Sequence, residues 1–133
     1  MTGAEYDGNW IQGKWEGLGR YIYTNGTQYT GQWKDGKRHG VGRHCLSNGL
    51  VFEGIFSEGN SHGPGVLYYQ NGNVKFEGTK VSTAWSGPLK KYYPSGALQY
   101  EGIADDNMWK GLRTAYAEDG SVLEVEVVHD ESI

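Results

Sequence analysis

The sequence predicts an all-β protein, built as one elongated, single-layer antiparallel sheet of β-hairpin repeats that is curved and twisted. Two observations carry this prediction. The 133 residues include 22 glycines, yet aromatic side chains make up 14% of the chain, far more than disordered glycine-rich segments contain. The glycines also recur in a fixed phase, which is typical of repeat proteins, and no stretch has the periodicity of a helix.

Each repeat contains three glycines spaced nine residues apart. The first glycine ends a Tyr/Phe-x-Gly triplet, and these triplets begin at Tyr6, Tyr29, Phe52, Phe76 and Tyr100. We therefore expect repeats over about 6–28, 29–51, 52–75, 76–99 and 100–123, followed by a closing strand over 122–128. Residues 1–133 form a single domain in this interpretation, with 129–133 as a short disordered tail.

The second repeat shows how one unit is expected to fold. Tyr29, Gly31 and Trp33 alternate with polar residues, so their side chains lie on one face of a strand. The Asp35–Gly36 pair predicts the hairpin turn, and Asn48–Gly49 predicts the turn into the next repeat. An aromatic ring from a neighbouring strand is expected to cover the bare backbone of Gly31 and of its equivalents in other repeats.

The C-terminal segment alternates Leu123, Val125 and Val127 with Glu124 and Glu126. If the turn before it has the length found in the first two repeats, the three apolar residues take the places of Tyr, Gly and Trp. The two glutamates would then face outward, where their charges protect the edge of the sheet.

The segment 29–42, YTGQWKDGKRHGVG, resembles the MORN repeat (membrane occupation and recognition nexus), whose pattern is Y-x-G-x-W-x-x-G-x-x-H-G-x-G. Repeats four and five are similar to a divergent variant. They replace the loop glycine by Thr83 and Asn107, and the second glycine of Gly-x-Gly by Leu89 and Arg113.

The resemblance covers Tyr6 to about Val128 and implies a function of binding rather than catalysis. Proteins of this family are scaffolds, membrane-associated proteins, ciliary components, or appendages of enzymes such as lysine methyltransferases and lipid kinases. For a cytoplasmic protein of this kind, the resemblance implies association with the cytoskeleton or the cilium.

Composition excludes several classes of function. The net charge of −4 argues against nucleic-acid binding, because neutralising phosphates requires an excess of Lys and Arg. Residues 1–5 lack the basic and apolar regions of a signal peptide, and no apolar run is long enough to span a membrane. The single cysteine, Cys45, fits a reducing compartment, so we expect a cytoplasmic location.

The spacing of the repeats also argues against catalysis and metal binding. Equivalent residues in successive repeats lie roughly 10 Å apart, which is too far for His39 and His62 to share a metal ion. The same spacing separates the equivalent residues Glu53, Glu77 and Glu101, which is wide for a pair of catalytic carboxylates. No nucleophile-elbow or P-loop motif is present. We expect no enzyme activity, no cofactor, no metal and no small-molecule substrate.

Two sets of apolar side chains are candidates for binding a protein partner. Trp15, Trp85 and Trp109 lie two residues before the second glycine, where they are expected at the hairpin tip as anchors. The alternative is that each ring folds back over its own loop. The second set shares one face of the returning strands and comprises Tyr21, Tyr23, Leu67, Tyr69 and Tyr93, while Tyr68, Tyr92 and Tyr116 lie on the other face. A single sheet cannot bury both faces, so we expect one face to bind a helical or extended segment of another protein, such as a subunit of a complex.

Basic residues cluster in the second repeat and suggest a different partner. Lys34, Lys37, Arg38 and Arg43 could contact membrane phospholipid, with His39 and His44 close by. Asp35 and the acidic character of the whole chain weaken this interpretation. Peripheral membrane binding therefore remains an alternative to the protein scaffold, as does a role as the targeting subunit of a separate enzyme.

Overall fold

The computed structural model describes residues 4–133, which form one open antiparallel sheet of eleven strands. The strands follow one another in sequence order, and each pairs with its neighbours along the chain. They are β1 Glu5–Ile11, β2 Lys14–Ile22, β3 Gln28–Lys34, β4 Lys37–Cys45, β5 Val51–Ser57, β6 Asn60–Tyr68, β7 Val74–Val81, β8 Ala84–Tyr92, β9 Leu98–Asp105, β10 Met108–Tyr116 and β11 Val122–Ser132. The predicted all-β hairpin sheet is confirmed. Residues 1–5 are not expected to form a signal peptide, and residues 1–3 of this segment lie outside the described residues.

Each repeat is a hairpin closed by a two-residue turn in which both residues have positive φ. This is the geometry of a type I′ turn, whose twist matches that of the flanking strands. Glycine occupies the second turn position in the first three repeats, where it adopts positive φ without strain. The fourth and fifth repeats place Thr83 (φ 72°) and Asn107 (φ 65°) at the same position.

Replacing Thr83 by glycine is expected to raise the free energy of unfolding by about 1 kcal/mol, because a β-branched residue is strained at positive φ. The amide of Thr83 donates to the carbonyl of Ser61 at 3.0 Å, and glycine preserves this bond. Thermal unfolding would show a rise of a few degrees. Thr30→Gly, at a regular strand position, is the matched control and should lower the melting temperature. A loss of stability in Thr83→Gly would contradict the strained turn.

The second glycine of every repeat also has positive φ, but it lies within the returning strand rather than in the turn. The register between the two strands of the second repeat shifts between Gly31 and Trp33, so that the residues around Gly40 bulge. The side chain of Gln32 bridges this bulge, and its Oε1 accepts a hydrogen bond from the amide of Val41 at 2.9 Å. These glycines fix a β-bulge at the same place in each hairpin.

The first glycine of the repeat is required by close packing. Gly31 lies opposite Gly42 on the next strand, and a Cβ on Gly31 would come within 2.5 Å of the Gly42 Cα and 2.8 Å of the Tyr29 Oη. The ring of Tyr29 therefore covers this glycine pair. The expectation that a neighbouring strand supplies the ring over Gly31 was wrong: the ring comes from the same strand, two residues earlier, and reaches across to Gly42.

The fourth and fifth repeats fill this space with a side chain instead of a ring. Leu89 replaces the second glycine of the pair, and its Cδ1 lies 2.8 Å from where a Cβ on Gly78 would be. In the fifth repeat Arg113 takes this place, and its guanidinium carbon lies 4.1 Å from the ring centre of Tyr100. The divergence of these repeats is therefore a change in what covers the first glycine.

Two expectations for the C-terminal strand were wrong, namely that its alternating apolar residues are buried and that its glutamates both face outward. Glu126, and not Val125, lies opposite Arg113 and pairs with it, while Val125 and Val127 are each 63% exposed on the other face. Val128 is buried, in the place that Trp33 has in the second repeat. The cause is the turn before β11, which has the longer form of the later repeats and shifts the alternation by one residue.

The predicted tail is also part of the sheet. Strand β11 extends to Ser132 instead of ending at residue 128, and the amide of Ile133 donates to the carbonyl of Asn107 at 3.3 Å. The side chain of Ile133 packs against the buried cluster, and Glu131 forms an ion pair with Arg113 at 2.6 Å. These contacts hold the end of the chain in place.

The buried side chains all lie on one side of the sheet, which we call the aromatic face. Its core comprises Tyr29, Trp33, Phe52, Phe56, Phe76, Trp85, Leu89, Ala104, Trp109 and Val128. The rings bury one another across repeats, since Tyr29 and Phe56 lie 5.1 Å apart between ring centres and are nearly perpendicular. The other side, the opposite face, exposes aliphatic residues such as Leu18, Val41 and Leu112.

Candidate functional site

Trp85 and Trp109 do not project from the hairpin tips. They are 4% and 1% exposed and lie on the aromatic face, so the expectation that they serve as exposed anchors was wrong. Trp85 sits between Phe52 and Phe76, with ring centres 6.0 and 5.8 Å away. Side chains alternate between the two faces of a strand, and a residue two positions before the bulge glycine lies on the aromatic face. A large ring at this position therefore packs against rings of the neighbouring repeats.

Trp15 differs from these two because it lies at the N-terminal end of the sheet and is half-buried. Its ring stacks on that of Tyr6, with centres 4.4 Å apart, and meets the ring of Trp33 edge-on at 5.0 Å. Trp15 therefore remains partly accessible on the aromatic face.

Tyr21, Tyr23 and Leu67 are half-buried and pack against the aromatic core, and Tyr69 and Tyr93 are half-buried as well. Tyr21 and Tyr23 contact each other edge-on at 4.5 Å. Tyr69 donates its hydroxyl to the carbonyl of Tyr92 at 2.5 Å, and Tyr93 donates to the carbonyl of Tyr116 at 2.6 Å. These two hydroxyls tie one repeat to the next, a structural role that the sequence did not indicate.

Two adjoining depressions open on the aromatic face. The first has a volume of about 300 Å³ and is lined chiefly by Trp15, Tyr21, Tyr23, Trp33 and Arg38. The second, of about 240 Å³, is lined chiefly by Arg38, His44, Phe52, Phe56, Leu67, Lys80 and Trp85. Arg38 lines both and forms the ridge between them. A third depression, of about 470 Å³, lies on the opposite face around Leu18 and Val41.

Arg38 is held rigidly in this ridge. Its guanidinium carbon lies 4.9 Å from the ring centre of Phe56, and its Nε donates to the carbonyl of Gly59 at 3.1 Å. Burial and the charge of Arg38 lower the pKa of His44, so this imidazole is neutral at pH 7. Burial raises the pKa of Tyr29 to about 12, so its hydroxyl stays protonated and donates to the carbonyl of Gln32 at 3.0 Å.

The basic residues of the second repeat do not form one cluster. Arg38 belongs to the aromatic face, and Arg43 pairs with Glu53 at 2.9 Å on the opposite face. Lys34 and Lys37 lie at the turns, in a depression of about 280 Å³ whose other lining residues are Lys14, Asp35, His39 and Glu58. The carboxylate of Glu58 lies 3.4 Å from the Lys37 ammonium. The proposed phospholipid-binding residues are therefore divided among three places.

Three further cations lie on the aromatic face, and sequence reasoning missed them. Lys75, Lys80 and Lys91, which we call the lysine cluster, surround the rings of Phe76 and Trp85. A signal was present in the sequence: Lys80 stands where the earlier repeats have Trp or Phe, and Lys75 is the extra residue at the end of the third repeat. Lys75 forms a bulge between Val74 and Phe76, which pair with Tyr68 and Leu67.

The remaining features of the described chain concern metals and membranes. Within residues 4–133, no three His, Cys, Asp or Glu side chains are grouped in a way that could hold a metal ion. The same residues contain no helix with the length and apolar character needed to cross a membrane.

Comparison with known families agrees with the fold. The family model described as the MORN repeat matches residues 6–28, 29–51 and 52–74, just over half of the chain. A comparison with curated proteins finds no match. MORN repeats are generally interaction modules for proteins or membranes, and they are typically non-catalytic. This protein belongs to the MORN-repeat family.

Proposed function

We propose that this protein is a non-catalytic interaction scaffold that binds a segment of a partner protein along its aromatic face. The observation that carries the proposal is the pair of adjoining depressions, which are floored by aromatic rings and have Arg38 between them. Aromatic and arginine side chains are the commonest anchors of protein interfaces. Within residues 4–133 the sheet is a single layer, so this face is open to a partner.

The spacing of the repeats favours a segment that crosses the strands. Two strands advance the sheet by roughly 10 Å, and seven residues of an α-helix advance by nearly the same distance. A helix with apolar residues at heptad spacing would therefore place equivalent side chains over successive repeats. An extended segment would need about three residues per repeat.

The opposite face is less suited to this role, although its aliphatic residues are exposed. Much of its polar surface is already satisfied internally, since Arg43 pairs with Glu53 and the Lys90 ammonium lies 3.9 Å from Glu101. The depression there lies around Leu18 and Val41 and has a volume of about 470 Å³. None of the residues that line this depression is aromatic.

Membrane association is the second candidate, and the turn depression with Lys14, Lys34 and Lys37 favours it. Asp35 and Glu58 line the same depression and offset part of its charge. Anionic lipids attract segments with several uncompensated cations, so this site is weaker than the aromatic face as a candidate. A targeting subunit for a separate enzyme would use the aromatic face in the same way as a scaffold.

The double variant Tyr21→Ala, Tyr23→Ala is expected to weaken binding of the natural partner by roughly 30-fold, the factor that a loss of ~2 kcal/mol implies. Neither hydroxyl bonds to another group within residues 4–133, whereas Tyr69 and Tyr93 also support the fold. Calorimetric titration with the partner recovered by affinity purification measures the change.

The matched control is Leu18→Ala, Val41→Ala on the opposite face, which should leave the affinity unchanged. Loss of binding in this control, with full binding in the tyrosine variant, would contradict the proposal. Recovery with anionic vesicles that is abolished by Lys34→Glu, Lys37→Glu would instead favour membrane association.

A further inference from the structure

The lysine cluster lies at the centre of the aromatic face, beside the second depression. The ammonium groups of Lys75 and Lys91 each lie 5.7 Å from the ring centre of Phe76, and that of Lys80 lies 4.5 Å from the ring centre of Trp85. The two rings are themselves 5.8 Å apart. Three positive charges are therefore gathered around one pair of aromatic side chains.

These lysines have no carboxylate partner in the described part of the chain. The ion pairs within residues 4–133 use other cations, namely Lys37, Arg43, Lys90, Lys110 and Arg113. The Lys80 ammonium donates to the carbonyl of Thr83 at 3.1 Å. Glu131, whose charge acts on Lys91, is already paired with Arg113 at 2.6 Å. The three charges are left to be balanced from outside.

The surroundings of the three lysines favour the binding of an anion from another molecule. All three side chains are half-buried among rings, where water screens charge less well than at an exposed site. Burial lowers the pKa of Lys80, and burial together with the charges of Lys75 and Arg113 lowers that of Lys91. A carboxylate brought to this place would stabilise the ammonium groups and form charge-assisted hydrogen bonds.

We propose that the segment bound along the aromatic face is acidic, and that its carboxylates pair with Lys75, Lys80 and Lys91 while its apolar side chains enter the depression between Arg38 and Trp85. This inference rests on the proposed function and adds the chemical class of the partner. Cations beside aromatic pockets match a peptide that alternates acidic and apolar residues.

A protein segment fits this site better than an anionic membrane does. A bilayer would contact the whole aromatic face, including Glu124, Glu126 and Glu131 at its C-terminal end. These carboxylates would lie within the screening length of roughly 10 Å from the lipid headgroups and would repel an anionic surface. A single segment can lie over the depressions and the lysine cluster without reaching the glutamates of the C-terminal strand. The net charge of −4 likewise opposes adsorption to anionic lipid.

The test uses the full chain and two fluorescein-labelled 21-residue peptides. One carries leucines at heptad positions with glutamates beside them, and the other has glutamine in place of each glutamate. Fluorescence anisotropy should give at least a 10-fold lower Kd for the glutamate peptide. The triple variant Lys75→Met, Lys80→Met, Lys91→Met should abolish this preference while keeping its melting temperature, because methionine preserves the contacts of the alkyl chain with the rings.

Lys14→Met, Lys34→Met is the control with the same chemistry at the turns, and it should retain the preference. Equal affinity for the two peptides, binding of neither at 1 mM, or a preference that survives the triple variant would each overturn the inference. So would binding to vesicles of phosphatidylserine and phosphatidylcholine that the triple variant loses. The proposed function fails separately, if the natural partner is insensitive to Tyr21→Ala, Tyr23→Ala.

Discussion

Replacing Trp109 by alanine is expected to lower the free energy of unfolding by about 3–5 kcal/mol, the usual range for removing a buried tryptophan. The side chain is 1% exposed and packs between the ring of Tyr100, 5.9 Å away, and the guanidinium of Arg113. A single-layer sheet has no second layer that could collapse into the cavity. Urea unfolding followed by circular dichroism measures the change.

Trp10→Ala is the matched control, because Trp10 is 57% exposed at the N-terminal end of the same face. It contacts Tyr6 and Trp15 edge-on, so its loss should cost about 1 kcal/mol. Equal, small losses in the two variants would mean that Trp109 is exposed after all and would restore its interpretation as a surface anchor.

Replacing Gly31 by valine is expected to lower the free energy of unfolding by about 3 kcal/mol, at the upper end of the range for overpacking. The first carbon of the new side chain would lie 2.5 Å from the Gly42 Cα and 2.6 Å from the Val41 carbonyl oxygen. Both are backbone atoms, so the two strands must separate. The same unfolding measurement detects the loss.

Thr30→Val tests whether the effect belongs to the glycine position rather than to valine in this strand. Thr30 is exposed on the opposite face, so its replacement should change stability by no more than ~0.5 kcal/mol. An unchanged denaturation midpoint in Gly31→Val would refute the account of why the first glycine of each repeat is there.

The repeat pattern predicted much of the fold because each glycine is required by the backbone conformation or the packing of a few neighbouring residues. The turn pair Asp35–Gly36 and the alternation of Tyr29, Gly31 and Trp33 are properties of a few neighbouring residues, and local rules describe them well. The meander topology then follows, since short turns place each strand beside the next.

The errors arose where one residue more or less reverses the faces of a strand. The C-terminal strand was expected to bury Leu123, Val125 and Val127, but the longer turn before it turns Glu126 and Val128 to the aromatic face. The role of Arg113 as partner of Glu126 could have indicated this register, because a buried arginine requires a carboxylate. Local alternation alone could not decide it.

The candidate site was predicted less well than the fold. Tyr21 and Tyr23 do pack against the aromatic core, but Trp85 and Trp109 were assigned to the hairpin tips because only their distance along the chain was considered. The lysine cluster had a signal in the sequence, since Lys80 replaces an aromatic residue, but the contacts between strands that gather Lys75, Lys80 and Lys91 around two rings are not a property of the spacing. Binding surfaces of this kind depend on what the packed core leaves uncovered.

We expect a partner protein to bind the aromatic face rather than the opposite face or the turns. Site-specific photo-crosslinking in cells tests this most directly, with a benzophenone amino acid in place of Tyr23, Leu18 or Lys34. A protein adduct should form from position 23 and none from positions 18 and 34. Adducts from position 18 alone, or lipid adducts from position 34 alone, would contradict it.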